Sequence, residues 1–574
     1  MSKVKLSGDA VSSGIGLGKI HIISGQDLTY DASNAADVNT ETKRFEDALE
    51  AFRENIALKA RGLRKKAGPM EAAILERQLL LISDPSMAQE MLKLIHEGQC
   101  AEAAVDQVCS TFIRLFSGME DDVISQRAAD ISDIRGALLM LLLGIEDQDI
   151  STVPPGTILV AEDLSPSMTA QIVRENISGI ITACGSRTSH LAIIAKAMEL
   201  PAVCGVKKIF ESAVDNDTAI VDGDTGVIYI NPSAHELEIY NDKCRAILQR
   251  QEELSGYIKK DTKTSDGLPL SLFCNIGRAG EARKALECGG EGIGLFRSEF
   301  LFMNREKEPS EEEQFEAYKK AALIMEGKPV IIRTLDIGGD KDIPYLRIKK
   351  EKNPFLGYRG IRYCLGNKKL FKRQLRSLLR ASAFGRIRIL IPLVTCAEEL
   401  RSVKALMEEI KKELDQSKIP YDKNIETGCM IETPSACLIA DILAKEADFF
   451  SIGTNDLAQY ILCADRGNSD VSYLDSTFHP SVLRSVKHVI ECADNAGIPV
   501  GLCGEAAADP LMIPLLIAFG LKEFSVSASL VPRTRRAIHK WSKKEALELT
   551  DRVMSLDNEK EIVTLLKKYA KEKV

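Results

Sequence analysis

VIIRTLD, residues 330–336, is an apolar β-forming run that gives way to an arginine, a threonine and an aspartate. Seven further apolar runs lie at 270–275, 292–297, 387–393, 428–432, 449–453, 500–503 and 523–526. Helical patterns follow them, as at 281–288, 312–325 and 482–496. Eight strand-then-helix units after residue 264 point to a (β/α)8 barrel, with a doubly wound open sheet as the alternative.

In such a barrel the reacting groups sit where strands end. Those positions hold Asn275, Arg297, Arg333, Glu432, Asn455 with Asp456, and Cys503. Arg359 and Arg466 fall in the long loops after the third and sixth strands, and Lys341 lies just beyond a GGD turn. Several arginines together suit a substrate with more than two negative charges. Glu432 and Asp456 offer hard oxygen ligands suited to Mg2+. Cys503, closing a run of small residues, could give or take a proton. Any one of these could be a structural ion pair or a buried thiol. Gathered on one rim, they read as a binding site.

Upstream the chain changes character. Residues 1–30 read as short strands and turns, and 31–145 as a helical insertion. Strands return over 146–232 (TILVA, GIITAC, PAVCG, AIVDG and GVIYIN), and a charged linker helix follows over 233–262. The expected organisation is therefore an α/β domain made of 1–30 and 146–232, interrupted by a helical subdomain, and a barrel over 263–574. Within the α/β part, GSRTSH at 185–190 places His190 behind Thr188 and Ser189, at the start of an apolar helix. A neutral imidazole at a helix start has what it needs to carry a phosphoryl group, and the alternative is a helix-start histidine with no chemistry.

The net charge of −8 leaves no basic footprint for nucleic acid, and no apolar run is long enough to span a bilayer. The start of the chain carries no signal-peptide pattern, which leads us to expect a cytoplasmic protein. Fourteen scattered cysteines with no CxxC pair suit a reduced compartment and speak against a thiolate metal site. GIGLGK at 14–19 fails the phosphate-loop template, because Ser13 stands where glycine is needed and Ile20 where Ser or Thr is needed.

GSRTSH with LAIIAKAMELPAV, GIGLFRSEFLFM, VIIRTLDIGGDK, NPFLGYRGIR, MIETPSA, DFFSIGTNDLAQY, DRGN and GLCGE, in this order, resemble the enzyme I family of the bacterial sugar phosphotransferase system. The resemblance implies a phosphohistidine domain carrying a helical HPr-binding subdomain, followed by a dimeric barrel that binds phosphoenolpyruvate (PEP). It implies that His190 is the phosphorylated residue, with Thr188 beside it. Arg297, Arg333, Arg359, Asn455, Arg466 and Lys341 would contact PEP, Glu432 and Asp456 would hold Mg2+, and Cys503 would protonate the enolate. Ile74, Gln78, Leu81 and Arg127 fall where the family meets HPr, although they could equally pack the bundle. Ser186 departs from the family, which has glycine there. The related dikinases need an ATP module for which this chain has no room, and a regulatory relative that lost turnover is the alternative function.

Overall fold

The computed structural model describes residues 3–23, 28–32, 37–66, 69–82, 85–117, 122–145, 150–164, 166–185, 190–303, 305, 307–338, 343–346, 348–349, 351–466, 468–474 and 476–573. The chain divides into two compact units, Met1–Leu248 and Gln249–Val574. The division falls inside a helix, Ala234–Ser255.

The first unit is built on eight strands: β1 (Val4–Ser7), β2 (Asp9–Ser12), β3 (Ile15–Ile22), β4 (Thr157–Ala161), β5 (Ile177–Thr182), β6 (Ala202–Cys204), β7 (Thr218–Asp222) and β8 (Val227–Ile230). They form one sheet in the order β1-β8-β7-β3-β4-β5-β6-β2, parallel through β3 to β6 and antiparallel elsewhere. Alternation along the strands deals side chains to two cores. Ile158 and Val160 of β4 join Val203 and Val221 on one face, while Leu159 and Ala161 join the helical bundle on the other. That bundle comprises Val38–Lys66, Pro69–Ile82, Pro85–His96, Ala101–Ser117 and Asp122–Leu143. It occupies the connection between β3 and its parallel neighbour β4, so the helical insertion is one long crossover.

The second unit contains β9 (Ser271–Ile276), β10 (Ile293–Arg297), β11 (Val330–Arg333), β12 (Ile387–Ile391), β13 (Thr427–Ile431), β14 (Phe450–Ile452), β15 (Val500–Leu502) and β16 (Glu523–Ser527). Every neighbouring pair is parallel, and β16 pairs with β9 to close a barrel. Closure decides against the open sheet. Phe273, Leu295, Ile331, Leu390, Met430 and Phe449 fill the interior, and residues of opposite parity pack outward against the helices. The third strand ends at Arg333, short of the strand expected over 330–336. Its ladder is lost at Leu335, whose N–H donates to the Gln374 side chain (2.9 Å) instead of a neighbouring strand.

Under the N-terminal ends of β9 and β10 lies Arg535, the bulkiest fully buried side chain among the described residues, 1% exposed. Its guanidinium donates to Tyr257 O (2.7 Å), Ile258 O (3.0 Å), Gly289 O (2.6 Å), Thr262 Oγ1 (2.9 Å) and Glu291 Oε1 (3.3 Å). Gly289 allows this approach, since a Cβ there would lie 2.0 Å from Ile258 O. The chain that follows helix Ala234–Ser255 is thereby fastened to the foot of the barrel. Arg535→Met removes every donor from one buried and four half-buried acceptors, so it should cost about 3 kcal/mol of barrel stability. Urea unfolding of the two proteins measures this, and a loss below ~1 kcal/mol contradicts the assignment.

Candidate active site

Seven of the eight barrel strands, all but β12, bring residues at or just past their C-terminal ends to a cavity of about 860 Å³. Its lining includes Asn275, Arg297, Arg333, Glu432, Asn455, Asp456 and Cys503. The rim read from strand ends is thus one surface, and Arg359 and Arg466 reach it from their loops. Lys341 lies outside the described residues.

Two arginines are buried here and need counter-charges. Arg333 donates to Glu299 Oε1 (2.6 Å) and lies 3.1 Å from Asp336 Oδ2. Arg359 donates to Asp336 Oδ2 (3.3 Å), to Asp456 Oδ1 (3.4 Å) and to the Tyr460 hydroxyl (3.0 Å). Burial pulls both guanidinium pKa values down, but the surrounding carboxylates outweigh it and hold both groups firmly charged. Arg297 is exposed, with its guanidinium 4.9 Å from the centre of the Phe300 ring. Arg466 Nη2 lies 3.8 Å from Asp456 Oδ1.

Glu432 is fully buried. One oxygen, Oε1, accepts the N–H of Leu393 (2.7 Å), and Oε2 has no hydrogen-bond partner. Gly453 makes room for that carboxylate, because a Cβ there would lie 2.8 Å from Oε2. Burial, then the charges of Asp456 and Asp336, push the Glu432 pKa up to about 8. Cys503 lies beside it in the barrel wall, where its sulfur accepts the Ser451 hydroxyl (3.3 Å) and faces Ile452 O (3.6 Å). Burial pushes the thiol up to about 11, so at neutral pH it keeps its proton.

The PEP-utilising enzyme, PEP-binding domain, matches residues 251–543. The mobile domain of the same enzymes matches 153–226, and their N-terminal domain matches 7–127. A phosphoenolpyruvate-protein phosphotransferase of Priestia megaterium is 41% identical, over 98% of this chain and 98% of its own. That of Bacillus subtilis is 41% identical, over 99% of this chain and all of its own. The chain belongs to the phosphoenolpyruvate-protein phosphotransferase family. A solution structure of an Enzyme I protein is 31% identical, covering 42% of this chain and 99% of its own, with a TM-score of 0.38.

As a PEP-utilising phosphotransferase the chain must hold a strongly anionic substrate, and enzymes of this class use a divalent metal ion. Among the described residues six carboxylates and five guanidiniums line the cavity, so these side chains supply no excess of positive charge. Among the described residues no three metal-ligating side chains are gathered as a cage. The orphaned Oε2 of Glu432 and the nearby Asp456 fit a cation that takes few protein ligands and keeps positions for water and phosphate, as Mg2+ does.

Other candidates lie in the first unit. Helix His190–Ala197 begins at His190, while Thr188, Ser186 and the side chains of His190 and Ile74 are outside the described residues. Arg127 is exposed and Leu81 half-buried. Gln78 is 1% exposed and donates to Asp133 Oδ2 (3.1 Å), a contact within the bundle. Glu299, Asp336, Ser451, Tyr460 and Arg533 are site residues that the sequence reading passed over. Glu299 and Asp336 stand within three residues of a predicted arginine, which was the available signal.

The raised Glu432 pKa has a stability consequence. Between its ordinary value and about 8 the native carboxyl keeps a proton that the unfolded chain has lost, so native stability falls as pH rises through that window. Cation-free wild type should therefore lose stability relative to Glu432→Gln from pH 5 to about 8, and added Mg2+ should reverse the loss. Thermal melts of both proteins across that range test this. A constant difference would remove the assignment.

Proposed function

We propose that this chain takes the phosphoryl group of PEP onto His190, releases pyruvate, and passes the group to a histidine of an HPr-type carrier protein. The observation that carries this reading is a cavity lined by five arginines, two candidate metal ligands and a protonated thiol, with no histidine among its described lining residues. The phosphoryl acceptor has to come from elsewhere. His190, at the start of a helix in the segment matched by the mobile domain, is the best-placed candidate.

Arg297 and Arg333 are assigned to the phosphate, with Arg359, Asn455 and Arg466 holding the remaining oxygens and Lys341 joining them. Glu432 and Asp456 would hold Mg2+, which when bound offsets the charge of the phosphate and carboxylate. The imidazole of His190 attacks phosphorus in line as the bond to the enolate oxygen breaks, and positioned charge does most of the work. Cys503 then gives its thiol proton to the enolate carbon, and pyruvate forms. Thr188 orients the imidazole.

Helix Pro69–Ile82 packs against helix His190–Ala197, which favours carrier docking on the bundle beside the histidine. Leu81 and Arg127 remain candidates for that contact, and Ile74 lies on the same helix as Leu81. In this scheme 1–30 and 146–232 form the phosphohistidine domain, 31–145 the carrier-binding subdomain, 233–262 the linker and 263–574 the PEP-binding and dimerisation domain. No described helix is long and apolar enough to cross a membrane, and we assign the enzyme to the cytoplasm as a homodimer.

Incubation with phosphorus-labelled PEP and Mg2+ should give acid-labile, base-stable label on the protein with release of pyruvate. His190→Ala should abolish the label, and persistent label would move the acceptor elsewhere. Label from ATP alone would favour a dikinase, and none from either donor a regulatory relative. Cys503→Ser should slow pyruvate formation by about 10²-fold or more while PEP binding is kept. Because the thiol pKa is about 11, the wild-type protonation step should be flat from pH 7 to about 9. Unchanged turnover in the variant would exclude Cys503 as the donor.

A further inference from the structure

Asp336 is 1% exposed and is the shared counter-charge of two buried arginines. Its Oδ2 lies 3.1 Å from Arg333 Nη1 and 3.3 Å from Arg359 Nη2, and its Oδ1 accepts from Arg359 Nε at 3.4 Å. These contacts are long for charge-assisted bonds, which cluster near 2.7–2.9 Å. The Glu299 contact to Arg333 is short, 2.6 Å. The arginines are therefore not held alike. Glu299 fixes where Arg333 points, while Asp336 occupies N–H groups of both guanidiniums loosely.

The backbone around Asp336 is shaped for this bridge. Gly338 has φ +102°, and a Cβ there would lie 2.5 Å from the Arg359 Cβ. Gly360, with φ +57°, would bring a Cβ within 2.9 Å of Leu393 Cβ and 3.5 Å of Asp336 Oδ1. Arg359 can thus be drawn in over Asp336 only because two glycines stand beside it.

We propose that Asp336 is a specificity-determining residue that weakens ground-state anion binding by the Arg333–Arg359 pair. Without Asp336, Arg333 would keep only Glu299 and Arg359 only Asp456 as close counter-charges, and the N–H groups set free toward the cavity would bind a small oxyanion more tightly. With Asp336 between them, an entering anion must displace a carboxylate, and an anion held by Arg333 and Arg359 alone gains little. PEP recovers the difference through its carboxylate, through Arg297 and Arg466, and through the metal; inorganic phosphate does not. The exchange is reversible and breaks no covalent bond. The inference rests on the reading of the cavity as the PEP site.

The test is steady-state kinetics of the full chain with PEP, Mg2+ and carrier protein, with inorganic phosphate as competitor. Asp336→Asn should lower the inhibition constant for phosphate at least 5-fold, leave KM for PEP equal or lower, and reduce kcat at least 10-fold. Glu299→Gln, which loosens Arg333 itself, should instead raise KM and the phosphate constant together. If Asp336→Asn raises both constants in the same way, Asp336 only supports the arginines and the proposal fails. Asp336→Ser, smaller and equally uncharged, gives the same reading where asparagine disturbs packing. Wild-type protein that binds no PEP would overturn the site assignment itself. A wild type that binds PEP beside an Asp336→Asn protein with unchanged phosphate inhibition would overturn only this inference.

Discussion

A closed parallel barrel sends alternate residues of every strand inward, and the interior has no solvent to receive charge. The last inward position is the only one that opens onto water and substrate. Arg297, Arg333, Glu432 and Cys503 all occupy it or the residue just beyond, above an apolar layer of Phe273, Leu295, Ile331, Leu390, Met430 and Phe449. Charge placed one layer lower must be neutralised within the wall, as Arg388 is by Glu426 and Glu523 at the opposite end. The fold thus sets where chemistry can stand before any residue is chosen. It also sets the demand that buried arginines bring carboxylates with them.

The carboxylates carry their own cost, visible in the backbone. Leu393 has φ 56°, a left-handed conformation rare for a residue without a hydrogen-bonding side chain, and it is fully buried. Its N–H is the one that fixes Glu432 Oε1. Gly453 gives up a side chain on the other side of the same carboxylate. One strained residue and one missing Cβ therefore hold a single buried oxygen pair in place. Strain of this kind persists where the surrounding packing over-determines it, and such positions cluster at sites that bind or react.

Much of this was legible in the sequence, and the reasons differ by residue. Strand ends are marked by the change from apolar to polar, so Arg297, Arg333, Glu432 and Cys503 could be placed before any coordinates. The helical insertion showed itself by a change of period. Asp336 was in plain view but was read as the tail of its strand, because the side-chain oxygen of Gln374 that ends the ladder lies 39 residues away from Leu335 in sequence. Gln78 is a related case. Spacing with Ile74 and Leu81 says that three residues share a helix face, and not which neighbour covers it. Asp133, which does cover it, belongs to another helix of the bundle. Pairings across the fold are the part that a single sequence leaves open.

The separation of histidine from barrel also follows from charge. A histidine built into this rim would sit beside Asp456 and Asp336, whose negative charges favour the imidazolium and remove the lone pair that attacks phosphorus. In the proposed reaction, an acceptor imidazole carried by the other unit would meet those carboxylates only when substrate and cation are there to offset them. Once phosphorylated it would leave, and the enolate would be left with the proposed proton donor alone. An acceptor fixed in the cavity would stay within reach of the enolate oxygen, and the phosphoryl group could return to it before Cys503 acted. A site divided in this way would let one face be rich in carboxylates for metal and arginines, and the other keep a neutral nucleophile.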